Sequence, residues 1–491
     1  MMPEYVEPRP SAQPDSSPPH RSQRFRRSGR NVSLQARFSL SHRALASGGG
    51  SILSDTIRIR DFIKWLWDRR AAGRGGAVVS RRAAFGLVVV TAAVPAFAVG
   101  ASPAVSAGER APLLEAAFTA TSYAPGERGD LVVRTRFRHL ELQIIRAGAE
   151  RGWSSVGRPW GPPRQVTLSA GLTHRLEVRP GAWQSGLYFA RLTAPGGRAV
   201  AFAPLVLRAA VPGRNRVAVV LPTYTWQAYN FYDANHDRKA DSWYGDARRN
   251  SVTLGRPYTN SGKPPHYRTD QRGFLRFLVH TGKQADYLTD EDLERIGSGD
   301  DLARLYDLVI FSGHEEYVTA HIFDVVQRYR DAGGNLAFLS ANNFFRLVVR
   351  SDNRLWRGKL WRDLGRPEAG LVGVQYSGND RGGHSTPYLV VAPEAAPWLF
   401  AGIPVAAGAP LSTARYGIEY DAVTPSSPSG TVVLAEVDPQ LRGGRVRGQM
   451  SYYETDAGAR VFAAGTLSFA GSDNPVAAVL FGNIWARLTA P

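Results

Sequence analysis

Residues 305–340 read LYDLVIFSGHEEYVTAHIFDVVQRYRDAGGNLAFLS, and two apolar runs with one amphipathic run between them set the architecture. Leu308–Phe311 is continuously apolar, as expected of a strand buried on both faces. From Ala320 the apolar residues return at 322, 323, 325, 326 and 329, the spacing of a helix lying on a core, and Gly333-Gly334 stop it. Residues 336–339 are apolar again. Strand, helix, strand in this order predicts a crossover unit in a parallel sheet. Ser312, Gly313, His314, Glu315 and Glu316 follow the first strand, at the edge where open α/β sheets bind their ligands.

The alternation continues on both sides. RVAVVLP (216–222) reads as a strand, DQRGFLRFLVHTG (270–282) as a helix, QADYLT (284–289) as a strand and DEDLERI (290–296) as a short helix. Residues 350–490 return to strand-like runs, GLVGVQY, YLVVA, GTVVLAEV and RVFAAGTLSF, and close in the helix-like PVAAVLFGNIWARL. Residues 111–209 follow another rule. Short alternating runs such as DLVVRTRF, LELQIIRA and GLYFARLTA are separated by Gly- and Pro-rich turns, which predicts an immunoglobulin-like β-sandwich. The expected fold class is multidomain, α/β plus all-β: a sandwich over 108–210, then an α/β domain with a mainly parallel sheet over 211–491.

Residues 1–77 are rich in Ser, Pro, Arg and Gly without sustained periodicity, and read as a disordered extension or as sequence ahead of the true start. Ser80-Arg81-Arg82 precede 26 uncharged residues, with small side chains at 105–107, so 78–107 reads as a twin-arginine-like signal peptide. Pro95 and Pro103 argue against a stable membrane span. The mature protein is expected to be exported, or cytoplasmic if that leader does not function. Of the net charge of +18, residues 1–107 hold +10, and no basic run interleaved with aromatics follows residue 110. Nucleic acid is therefore not an expected partner. The chain has no cysteine, which excludes thiol nucleophiles and Cys-ligated metals.

Each predicted strand of the α/β part runs into polar residues: TYTWQAYNFY after the first, Thr289-Asp290 after the second, SGHEEY after the third, SANN after the fourth. Singly these are turn residues; together they fall on one edge of one sheet. Ser312 lacks a Gly-x-Ser-x-Gly frame, so an acyl-enzyme route has no nucleophile. Carboxylate beside imidazole suits a metal ligand with a proton shuttle, or an acid/base pair acting on water. Tyr224, Tyr229, Tyr232 and Tyr244 are dense enough to be packing, yet phenolates are also hard donors favoured by ferric iron.

Several stretches together resemble the large (beta) subunit of N,N-dimethylformamidase and its relatives: LPTYTWQAYN, DSWYG followed by GRPY, FSGHEEYVT, LAFLSANNFF, WRDLGRPEAGLVGVQY, GIEYD and YYETDAGARVFAAGTLSFA. The resemblance spans about residues 111–490. It implies a glutamine-amidotransferase-like (flavodoxin-like) α/β domain behind the sandwich, and a mononuclear ferric site that hydrolyses a small carboxamide. By position, Tyr229, Tyr244 and Glu316 would be the metal ligands. His314 and Asn342 would stand in the catalytic shell, with Glu454 a further acid or base. A small partner subunit or a homo-oligomer is implied as well. Two other readings stand beside this one: a secreted, non-catalytic carbohydrate- or cell-wall-binding protein, and a metal-free glycosidase using Glu316 and Glu454 as its two carboxylates.

Overall fold

The structure, a computed structural model, describes residues 113–490 apart from 151–156, 236, 238, 246–247, 382–384 and 438–439. The expected extension and signal peptide lie outside the described residues. Two sheets, antiparallel except where the short strand Ser122–Tyr123 runs parallel to Val200–Leu207, form the N-terminal part. One has three strands, Leu114–Phe118, Gly129–Thr135 and Thr173–Val178; the other is built on His139–Arg146, Gly186–Thr193 and Val200–Leu207. Alternation along Gly186–Thr193 divides its side chains. Tyr188, Ala190 and Leu192 face the core shared with the first sheet, while Leu187 and Phe189 join the core of the following part.

That following part is built on one eight-stranded sheet and also holds a four-stranded and a two-stranded one. Its strands in chain order are β1 (Val217–Leu221), β2 (Asp286–Thr289), β3 (Leu308–Phe311), β4 (Asn335–Phe338), β5 (Tyr388–Val390), β6 (Val432–Val437), β7 (Gln449–Glu454) and β8 (Arg460–Ala463). They lie side by side in the order 2-1-3-4-8-7-6-5. The first five are parallel and the last three pairings antiparallel. The parallel sheet predicted from the sequence thus forms, with a fifth strand supplied from far downstream. On β1, Val217, Val219 and Leu221 point to one core, Ala218 and Val220 to the other. This two-sided burial is why the strand is apolar throughout.

Helices cover both faces. α2 (Arg272–Thr281) and α4 (Pro475–Thr489) pack through Phe274, Phe277, Leu480 and Phe481 on one side. On the other, α3 (Ala320–Asp331) buries Ile322, Phe323, Val325, Val326 and Tyr329, each burial worth about 1.5–3 kcal/mol. α3 starts at Thr319, whose Oγ1 accepts from the Ile322 amide at 3.2 Å, and ends before Gly333 at φ +94°. The segment read as the strand GLVGVQY differs. Ala369–Val372 is a helical turn ended by Gly373 at φ +92°, and only Gln375–Asn379 is strand, paired with Glu419–Ala422. No helix among the described residues is long and apolar enough to cross a membrane.

Candidate metal centre

All the polar strand ends predicted from the sequence meet at the carboxyl edge of the parallel strands. Behind β1, Pro222 opens the short helix α1 (Thr223–Ala228), and Tyr229 caps its end. Asp290, just past β2, fixes this helix by accepting from the Tyr224 amide at 2.7 Å and the Thr223 hydroxyl at 2.8 Å. Behind β3, Thr225 Oγ1 accepts from the amides of Glu316 and Tyr317 at 3.1 and 3.3 Å, which anchors the His314–Tyr317 turn to α1.

The oxygens converge. Tyr229 donates to Glu316 Oε2 at 2.7 Å, and the Tyr244 hydroxyl lies 3.3 Å from the same oxygen and 3.5 Å from Oε1. The Tyr229 and Tyr244 rings stack at 4.3 Å. A third phenol joins them, Tyr317, 2.5 Å from the Tyr244 hydroxyl. His314 Nε2 stands 3.4 Å from Glu316 Oε2 and 3.4 Å from Glu419 Oε2, hydrogen-bonded to neither. Glu419 in turn accepts from Asn342 Nδ2 at 2.9 Å and Asn379 Nδ2 at 3.3 Å. Asn342 takes φ +55°, held by Asp421, which accepts from its amide at 2.8 Å. Ile418, next to Glu419, is at φ +79°; a β-branched residue there is strained, so the surrounding packing over-determines the placement of Glu419.

Glu316 and His314 are buried here, and the site is acidic. Burial, then the neighbouring Glu419, push the Glu316 carboxyl up to about 8. Burial also raises Glu419, and lifts the Tyr229 and Tyr244 phenols above their ordinary value, with Glu316 adding to both. His314 falls to about 3 through burial, with His266 contributing. Acids and phenols crowded without a compensating cation hold their protons, and a bound cation reverses that balance. The donor set therefore fits a hard cation: two or three phenol oxygens and a carboxylate at mutual distances of 2.5–3.5 Å, with an unpaired imidazole nitrogen beside them. Among the described residues no group of three His, Asp or Glu forms a metal site by itself, so a metal here needs the phenols.

Of the six residues singled out from the sequence, five meet in this pocket: Tyr229, Tyr244, His314, Glu316 and Asn342. Glu454 does not. β7 runs antiparallel to β8, so its last residue lies at the amino edge of the sheet, where Glu454 pairs with Arg487 at 2.7 Å and its side chain is 47% exposed. The carboxylate pair Glu316–Glu454 is thereby separated by the depth of the sheet, which removes the glycosidase arrangement built on it. Glu419 occupies the place expected of that second acid. It sits in the quoted stretch GIEYD, but a lone glutamate after a long irregular segment has no periodic signal. Tyr317 and Thr225 were hidden for a simpler reason, since both look like interior residues of the elements they belong to.

A family model described as N,N-dimethylformamidase beta subunit-like, C-terminal, matches residues 162–474. The N,N-dimethylformamidase beta subunit of Paracoccus aminophilus is 26% identical over 254 residues, 40% of this chain and 33% of that one. That of an Alcaligenes species is 25% identical over 254 residues, with the same shares. The match spans about a third of the length of these relatives. A solved superoxide reductase (neelaredoxin) from Ignicoccus hospitalis has 13% identity and a TM-score of 0.13, over 20% of this chain and 80% of that one. So low a likeness carries no argument.

Proposed function

The chain belongs to the N,N-dimethylformamidase beta subunit-like, C-terminal family, and from that membership we propose that the buried cluster hydrolyses the C–N bond of a small carboxamide with a single ferric ion held by Tyr229, Tyr244 and Glu316. The observation that carries this reading is the meeting of two phenol oxygens and one carboxylate in one cluster. Bound there, iron would supply a Lewis acid for the carbonyl and acidify water enough for attack near neutral pH.

The protein's own groups do the rest. His314 Nε2, unpaired and flanked by two carboxyls, receives the proton of the attacking water and returns one to the departing nitrogen. Glu419, and not the acid or base expected at Glu454, stands beside His314 and supports the imidazolium that forms. Asn342 Nδ2 donates toward the developing oxyanion, a contribution of about 3 kcal/mol where one such donor is removed. The Tyr229 and Tyr244 rings cover the reacting atoms and exclude bulk water.

The strand order 2-1-3-4-8 supports a glutamine-amidotransferase-like (flavodoxin-like) assignment for residues 211–491, and the two facing sheets support an immunoglobulin-like one for 108–210. Export by the leader at 78–107 is part of the same proposal. The relatives carry the name beta subunit, which supports a second, smaller chain or a second copy of this one as partner. Tyr244 and Phe231, 46% and 49% exposed on the segment that brings the phenols, offer it a surface.

Metal analysis, a visible spectrum and an amide-hydrolysis assay on the purified chain test this reading. Stoichiometric iron, a phenolate-to-iron charge-transfer band and release of amine or ammonia are expected. A colourless, iron-free protein with full activity would end the ligand assignment.

A further inference from the structure

Behind Tyr229 and His314 lies a small space. Trp226 and Pro265 wall it, His266, Asp270 and Gln271 are its polar lining, and its volume is about 10 Å³, room for one water-sized group. Part of that lining is unpaired. Gln271 is 1% exposed, and neither its Oε1 nor its Nε2 has a hydrogen-bond partner. Asp270, also buried, leaves Oδ1 without one. An unpaired buried polar atom forfeits its hydration with no return, so several around one cavity point to a polar guest.

The turn after β3 makes room for this arrangement. A Cβ at Gly313 would lie 2.4 Å from Gln271 Nε2 and 2.6 Å from its Cγ. Glycine at that position is what lets the glutamine lie over the turn, beside His314.

Size and chemistry together restrict the guest. An –NH₂ group is about as large as water, whereas a dimethylamino group is far larger. Gln271 Oε1 and Asp270 Oδ1 are two acceptors for two N–H bonds. Resting on the amidase reading above, we infer that this cavity receives the substrate's nitrogen, and that it selects primary carboxamides over N,N-dialkyl amides. In the reaction water forms the new C–O bond as the C–N bond breaks. The nitrogen keeps the bonding pair, takes a proton through His314 and leaves as ammonia.

Ligand-observed NMR on the full chain, with formamide and N,N-dimethylformamide as probes, tests the inference without requiring turnover. Formamide is expected to bind at least about tenfold more tightly, because a site built to pair an N–H discriminates strongly against the analogue lacking it. Gln271→Leu should abolish the difference. Gln271→Glu, which keeps an acceptor oxygen, should retain it. Equal binding of the two amides, or a preference unchanged in a folded Gln271→Leu variant, overturns the inference. Preferential binding with no hydrolysis of either amide sustains the pocket and ends the amidase reading. Hydrolysis of both at equal kcat/KM does the reverse.

Discussion

Glu419 accepts hydrogen bonds from two side-chain amides and presents Oε2 to His314. Glu419→Gln keeps the shape and removes the charge, so kcat/KM should fall by about 10²–10⁴ while the iron content stays unchanged. Glu454→Gln, at the far edge of the sheet, should leave turnover as it was. Parallel steady-state assays and metal analysis check both. Asp270 carries a second expectation. Burial holds its carboxyl at about 8, against an ordinary 3.8. Its folded-state value is the higher one, so its contribution to stability is complete below pH 4 and lost as the pH rises through 8. In iron-free protein, Asp270→Asn should therefore gain in Tm over the parent as the pH is raised from 4 to 8, by on the order of 4 kcal/mol in stability at pH 7. Equal Tm–pH profiles would refute the burial argument.

At the scale of elements, the phenols and the acid are brought together by α1 and the turn after β3, each too short to be stable alone and each locked by the other through Thr225. α3 behind them supplies the fixed base. Its cap residue Thr319 accepts from the Ile322 amide and also donates to Glu294. Thr319→Ala should lower stability by about 1 kcal/mol, seen as a lower midpoint in urea with an unchanged slope. These elements were readable in advance because their signals are local: apolar runs for β1 and β3, helical spacing and a Gly-Gly stop for α3. The Ala369–Val372 turn was misread as strand because four apolar residues in a row fit a buried strand and a buried helical turn equally. Gly373 at positive φ settles the choice.

At the scale of the molecule, the N-terminal sheets and the α/β sheet share one core and one buried charge network. Arg272, fully buried on α2, lies 3.5 Å from Glu150 of the N-terminal part and 3.1 Å from Asp473, and Tyr267 donates to Glu150 at 3.1 Å. Arg272→Met should destabilise the protein by about 3–5 kcal/mol, since it strands Glu150 in the core. Denaturant unfolding measures it, and Glu150→Gln in the same background should recover part of the loss. Chain order carried the kinds of element, their sequence and the edge at which polar residues gather, because periodicity and turn chemistry act over a few neighbours. It also carried Tyr229, Tyr244, His314, Glu316 and Asn342, all set directly by strands β1, β3 and β4 or the loop after α1. Pairings across long distances were beyond its reach. The insertion of β8 beside β4 pairs Leu336 with Val461, and the arrival of Glu419 beside His314 joins residues comparably remote in the chain; β7, a short hairpin away from β8, takes Glu454 to the far edge only because β8 lies parallel to β4. Such contacts are chosen by how whole faces pack, and no short window of residues contains that choice.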